Sequence, residues 1–314
     1  MNKIRIGVSR CLLGDPVRYD GAHRRDRYVA DVLGEHFDWV PVCPEVEVGL
    51  PVPRPTIRLV RVAGSVRVLG SHDPSLDVTE ALGGLYDDSA DRFADISGFI
   101  LKRGSPSCGS GRVKVYDQAG RRAALGTGAF ARALQEGRPT LPLEDEIRLN
   151  DPALRESFIT RVFAFRRWQD LCAGPVDVAA FERFNARHKL LLMAHNQAGY
   201  RRLRLRVAAT RPENLPSMMR AYERGFMETL GRKATARGHS NVLHHLAGYL
   251  ARRIDGEDQA ELSQAIARYR EGELPRLVPL TLLRHHFARH PHPWVAEQVY
   301  LEPHPEEVLL QNRV

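Results

Sequence analysis

Over the first half of the chain, short apolar runs alternate with longer stretches whose apolar residues recur at helical spacing. Residues 3–8 (KIRIGV) form a β-type run that ends at Ser9, Arg10 and Cys11. Residues 24–33 carry helical spacing, and 39–42 (WVPV) read as a second buried strand. Residues 56–62 and 65–69 flank Ala63-Gly64 as a hairpin. A helix over 76–93, a strand at 98–101 (GFIL), a strand at 112–116 and a helix over 126–136 follow. The alternation predicts an α/β domain, a mainly parallel sheet sandwiched by helices. The pattern changes across 141–151 (LPLEDEIRLND). From Pro152 onward the period is about 3.6 throughout, with breaks at Gly174-Pro175, 210–216, Arg237-Gly238, Asp255-Gly256 and 274–279. An all-α C-terminal domain is expected, with the domains at 1–148 and 149–314.

With 314 residues, 43% of them hydrophobic, the chain has material for two cores. Its first residues include Lys3, Arg5 and Arg10, so they read neither as a secretion signal nor as a membrane span. No segment approaches the roughly 18 apolar residues that a spanning helix needs. A cytoplasmic protein with no membrane partner is the expectation. Charge is unevenly spread. Residues 1–150 hold 21 Lys+Arg against 20 Asp+Glu, whereas residues 183–253 hold 15 basic and 3 acidic residues. Three carboxylates cannot pair fifteen cations, so this region is suited to a polyanion, with a solvated helical face as the plainer reading.

Four cysteines are too few and too scattered for a disulfide framework. Cys172 lies in an apolar helical stretch and reads as core packing. The other three stand in the phrases SRCLLG, VCPEVEVGLPVPRP and LKRGSPSCGSG, each just after a predicted strand: Cys11, Cys43 and Cys108. Ligands in open α/β sheets collect outside the carboxyl ends of strands, so three thiols can converge there. Zinc usually takes four protein ligands in a structural site, often in CxxC pairs that are absent here. Three lone thiols on Gly- and Pro-rich loops suit an iron–sulfur cubane with one iron left open, although buried structural cysteines would give the same spacing. Near them lie Glu45, Glu47, Arg54, Ser105 and Ser107. Arg18 and Asp20 follow the first cysteine and either pair with each other or meet substrate.

CLLG followed by VRYDG, then CPEVEVGLPVPRP, then LKRGSPSCG, in that order over residues 9–111, resemble the thiouracil desulfidase (TudS) family. Asn185 to Lys189, Leu192 to His195 and Tyr200 resemble a YbgA-type helical domain. The joint arrangement is similar to fused bacterial desulfidases acting on 4-thiouridine in transfer RNA. This resemblance implies a 4Fe-4S cluster bound by three cysteines (Cys11, Cys43 and Cys108), with cluster-delivery proteins as partners. It further implies Glu45 as the base that activates water and Ser105 as a hydrogen-bonding or proton-relay group, Glu47 being the alternative base. Arg18, Asp20, Arg54 and Ser107 are candidate substrate contacts, with Ser107 beside Cys108 also placed to hydrogen-bond a cluster sulfur.

The second half then reads as a surface for transfer RNA. Its candidate contacts are Arg187, Lys189, Tyr200, Arg201, Arg202, Arg204, Arg232, Lys233, Arg237 and His239. His188 and His195 are seven apart, too far for one ion, and suit a hydrogen-bonded core or an RNA role. Two other functions remain open at this level. One is a desulfidase of free thiouracils; the other is a non-catalytic nucleic-acid-binding protein with a structural or sensing metal centre, for which Cys172 would be the fourth ligand.

Overall fold

The structure, a computed structural model, describes residues 3–304. It contains two compact units, one ending at Arg166 and the other beginning at Arg167. The first is built on two four-stranded sheets. Strands β1 (Ile4–Ser9), β2 (Phe37–Val42), β5 (Phe99–Leu101) and β8 (Leu143–Asp145) form a wholly parallel sheet in the order β2-β1-β5-β8. Strands β3 (Ile57–Val62), β4 (Ser65–Gly70), β6 (Val113–Tyr116) and β7 (Arg122–Gly126) form the other, in the order β4-β3-β6-β7. It consists of two antiparallel hairpins joined by a parallel β3–β6 pairing.

The parallel sheet is apolar because it is covered on both faces. Ile6, Val8, Phe37 and Ile100 pack with Phe158, Ile159 and Val162 of α5 (Pro152–Cys172). Helices α1 (Pro44–Glu47), α2 (Thr79–Asp88), α3 (Ala90–Phe93) and α4 (Ala129–Gly137) complete the unit. Phe93, Phe99 and Phe130 meet edge to face near 6 Å, closing the core between α3, β5 and α4.

Several local expectations change. The helix read over 24–33 is reduced to single turns at Tyr28–Val32 and Leu33–Glu35. Arg24 and Asp26 instead donate backbone hydrogen bonds to the carbonyls of Cys11 and Leu12, which keeps this stretch extended. The helix read over 76–93 breaks at Ser89. Strands β7 and β8 are not among the expected elements: β7 is an edge strand whose residues are mostly exposed, and β8 has three residues.

The second unit is all helical: α6 (Val178–Arg187), α7 (Lys189–His195), α8 (Gln197–Ala208), α9 (Leu215–Gly231), α10 (Ala236–Gly248), α11 (Gly256–Glu271), α12 (Leu277–Arg289) and α13 (Pro293–Ala296). Asp177, Thr235 and Asp255 cap α6, α10 and α11, each accepting a first-turn amide. Arg237-Gly238, read as a break, lies inside the first turn of α10 because Thr235 supplies the cap three residues earlier. Cys172 is exposed at the last turn of α5 and not packed in a core. No helix of the described residues is long and apolar enough to cross a membrane.

An aromatic cluster forms the centre of this unit. Trp168, Phe181, Phe184, Tyr222 and Phe226 pack ring on ring, and His188 joins them 4.1 Å from Phe184 and edge to face with Phe226. Burial lowers the His188 pKa from 6.5 to about 3, and that of His239 to about 2. Below pH 6.5 the unfolded chain takes up protons that the folded chain refuses, so stability falls as pH drops from 6.5 towards 3. Urea midpoints of the full chain, followed by far-UV circular dichroism, are expected to fall between pH 7 and pH 4.5. In a His188→Gln/His239→Gln variant that fall should be visibly smaller than in the wild type.

Candidate active site

The carboxyl ends of β2, β1 and β5 lie side by side, since these three strands are neighbours in the parallel sheet. Cys43 follows β2 directly, Cys11 sits in the helical turn Arg10–Leu12 after β1, and Cys108 lies in the loop after β5. All three thiols line one cavity of about 320 Å³, together with Glu45, Arg54 and Ser105. The same wall includes Arg18, Tyr19 and Lys102. Thus the three cysteines, the two candidate catalytic residues and two of the candidate substrate contacts meet in one place.

Each cysteine loop is held by its own hydrogen bonds. The loop carrying Cys108 is turned by Ser105, whose Oγ accepts from the amides of Ser107 (3.2 Å) and Cys108 (3.1 Å). Its carbonyls then receive the free amides at the start of α4. Gly128 donates to Gly109 at 2.8 Å, Ala129 to Pro106 at 3.0 Å, and Ala131 to Ser107 at 3.1 Å. Helix α4 is thereby fixed to the cysteine loop. The close approach requires glycine at 128, where an added Cβ would come within 2.5 Å of the Ser107 carbonyl oxygen. At the first loop, Val17 carbonyl accepts from Arg54 Nη2 at 3.0 Å and from the Cys43 thiol at 3.6 Å, which ties the first and second cysteine phrases together.

Both carboxylate oxygens of Glu45 are held. Its Oε2 accepts from Arg54 Nε at 2.8 Å and lies 2.7 Å from Nη2, with the Arg54 side chain only 2% exposed. Its Oε1 accepts from Ser107 Oγ at 2.7 Å and stands 3.5 Å from Ser105 Oγ. Pro44 starts the single turn of α1, where its missing amide costs nothing, and this turn directs Glu45 inward. Glu47, two residues on, turns away to pair with Arg92 at 2.9 Å and is not part of the cavity wall. Arg18 and Asp20 pair with each other at 3.2 Å; Arg18 reaches the cavity, whereas Asp20 is exposed and outside its lining. Ser107 is fully buried, with its hydroxyl committed to Glu45.

Sequence reasoning did not single out Lys102 or Glu146. Lys102 ion-pairs with Glu146 just past β8, while its backbone amide donates to Ser9 Oγ at 2.8 Å. Lys102 stands within the third cysteine phrase; Glu146, forty-four residues away, left no such signal.

The thiols are held in a setting unfavourable to free thiolates. Burial, then the neighbouring Cys43, pushes the Cys11 pKa up to about 11, and burial raises Cys43 and, furthest, Cys108. A bound metal reverses this, since a coordinating thiol loses its proton outright. Among the described residues no three His, Cys, Asp or Glu side chains converge closely enough for a single metal ion. An all-thiol set around a cavity of this size suits a multi-iron cluster, whose thiolates bind separate irons.

The basic candidates of the second unit are spread over several helices. Arg201, Arg202 and Arg204 are exposed on α8, and Arg187, Arg232, Lys233 and Arg237 are exposed at or near helix ends. Lys189 Nζ lies 5.1 Å from the centre of the Trp294 ring, and Tyr200 is half-buried. His239 is turned inward, with Nδ1 2.9 Å from the Tyr300 hydroxyl and Arg276 Nη1 3.0 Å from Nε2, so it is unavailable to a surface ligand.

Comparison with known proteins divides the chain in the same sense. A sequence model of the 2-thiouracil desulfurase family matches residues 6–146. A second, described as a protein of unknown function (DUF1722), matches residues 189–305. The chain is 32% identical to the uncharacterized protein YbgA of Escherichia coli (strain K12), over 50% of this chain and 94% of that protein. It is 30% identical to the uncharacterized protein YbbK of Bacillus subtilis (strain 168), over 46% of this chain and 98% of that one. A solved structure of a 4Fe-4S-dependent thiouracil desulfidase, TudS, is 34% identical, covering 49% of this chain and 99% of that one with a TM-score of 0.39.

Replacing Gly128 by alanine should push the Ser107 carbonyl and displace Cys108 with little effect on the second unit. Anaerobically reconstituted Gly128→Ala chain is expected to hold less than about a third of the wild-type iron, while far-UV circular dichroism stays close to wild type.

Proposed function

The chain belongs to the 2-thiouracil desulfurase family, joined to a DUF1722 half, and from this we propose that it is a hydrolytic desulfidase that converts 4-thiouridine in transfer RNA to uridine. The observation that carries the reading is the convergence of Cys11, Cys43 and Cys108 on one cavity, with Glu45 fixed beside them. Those three thiols would hold a 4Fe-4S cluster. When bound, it supplies a thiophilic iron without a protein ligand, a Lewis acid suited to a thiocarbonyl sulfur.

The overall reaction exchanges C=S and water for C=O and hydrogen sulfide, with no net electron transfer. The protein side chains therefore need only position groups and move protons. Glu45 takes a proton from the attacking water. Arg54 on one oxygen and Ser107 on the other fix the plane of its carboxylate. The Ser105 oxygen accepts two amides while its hydroxyl faces Glu45 Oε1 at 3.5 Å, so it can pass a proton to or from that carboxylate. Lys102, neutralised by Glu146, keeps the region near Cys11 polar without adding an unpaired charge.

The substrate class rests on the second half. The 15 basic residues against 3 acidic ones over 183–253 suit a polyphosphate backbone, for which a free base has no use. Arg187, Lys189, Tyr200, Arg201, Arg202, Arg204, Arg232, Lys233 and Arg237 are its candidate contacts.

Glu45→Gln is expected to keep the visible absorbance of the reconstituted chain and to lose at least a hundredfold in anaerobic desulfuration rate. Wild-type turnover by this variant would place the base elsewhere. Assayed side by side, 4-thiouridine in whole transfer RNA should be consumed with a higher kcat/KM than free 4-thiouracil; the reverse order would make the free base the substrate. Arg54→Leu leaves the Glu45 carboxylate without its partner and the Val17 carbonyl without its donor, so the anaerobic desulfuration rate should fall at least tenfold.

A further inference from the structure

We propose that a cleft between α8 and α9 is a phosphate seat for the backbone of transfer RNA. The inference rests on the RNA-directed reading above and assigns a place to it. The two helices run back along one another after the short turn Pro212–Asn214. At one end of the crossing stands Gly199, where a Cβ would lie 2.5 Å from Thr229 Oγ1, so only glycine permits the approach. The cleft between them has a volume of about 340 Å³.

Its lining is strongly one-sided in charge. Arg202 and Arg206, four apart, share one face of α8, and Arg224 enters from α9. Arg206 is half-buried, and its Nη1 donates to the Ala221 carbonyl, which fixes the guanidinium in the wall. Arg202 and Arg224 have no acceptor among the described residues. Glu228 is the only carboxylate in the lining, and it also lies 3.8 Å from Arg232. The Thr229 hydroxyl is spent on the Gly225 carbonyl at 2.7 Å. Three guanidinium groups thus face one shared carboxylate, an arrangement that repels itself until an anion enters.

Guanidinium forks match phosphate oxygens in pairs, and two exposed arginines beside a fixed one can grip a single phosphodiester. A polymer is favoured over a small anion because the excess of cations continues along the chain from 183 to 253, well beyond the cleft. Arg201 and Arg204 point off the 202–206 face of α8 and serve as the internal comparison.

The test is filter binding of transfer RNA to the full chain over a salt series. Arg202→Ala/Arg224→Ala is expected to weaken binding about tenfold and to make the dependence of log Kd on log salt shallower by about 2. Arg201→Ala/Arg204→Ala should lose less than about threefold. Arg202→Lys/Arg224→Lys, which keeps the charges, should recover most of the slope, and its folding is checked by circular dichroism with the others. If the Ala pair binds with wild-type affinity and slope, the cleft is not the seat, while the desulfidase reading stands. If the wild type binds no transfer RNA yet desulfurates free 4-thiouracil, the RNA reading fails and the seat with it. Cleft-dependent binding to phosphatidylserine vesicles but not to transfer RNA would make this a lipid site and overturn the proposal.

Discussion

Parallel pairing of β2, β1 and β5 is the constraint on which the site depends. In a parallel sheet all carboxyl ends lie on the same edge, so the residues that leave each strand there are brought within reach of each other. Cys43, Cys11 and Cys108 occupy those positions after three adjacent strands, though up to 97 residues separate them in sequence. The apolar packing of Ile6, Val8, Phe37 and Ile100 against α5 holds the strands in register and so holds the thiols. Antiparallel pairing of any one of these strands would send its cysteine to the opposite edge.

The polar groups around the thiols form a second layer of constraint. Burial pushes the thiols up, and the Glu45 carboxylate among them is held by Arg54. Arg54 is itself buried, and its charge is satisfied by Glu45 together with the carbonyls of Val17 and Pro51. The same guanidinium thereby joins the first cysteine phrase to the second, while Ser107 joins the second to the third through Glu45. The carboxylate is consequently a crosslink between the three cysteine loops.

The helical half follows a different balance. Its core combines buried aliphatic residues with an aromatic cluster that His188 joins uncharged, while the cations lie on the outer surface. Between Arg183 and Arg253 the few acids cannot neutralise that surface internally, and the α8–α9 cleft is one place where this excess becomes local.

Periodicity in the sequence was enough to separate an α/β half from an all-helical half and to locate β1 to β6 to within a few residues, because period 2 and period 3.6 are properties of local burial. The cysteine phrases, with their glycines and prolines, marked the candidate site, since special backbone geometry demands special residues. The three-residue strand β8 and the exposed edge strand β7 were illegible, being too short or too polar to carry a period. Pairings across long separations were decided only in three dimensions. Glu45 and Glu47 stand two apart and look equivalent in the sequence, yet one turn of α1 sends the first to Arg54 and the second to Arg92. Lys102 with Glu146, Ser107 with Glu45, and the inward turn of His239 belong to the same class. Residue type and spacing dictate what a side chain can do; which of its possible partners it meets depends on the packing of distant segments, and no local pattern encodes that.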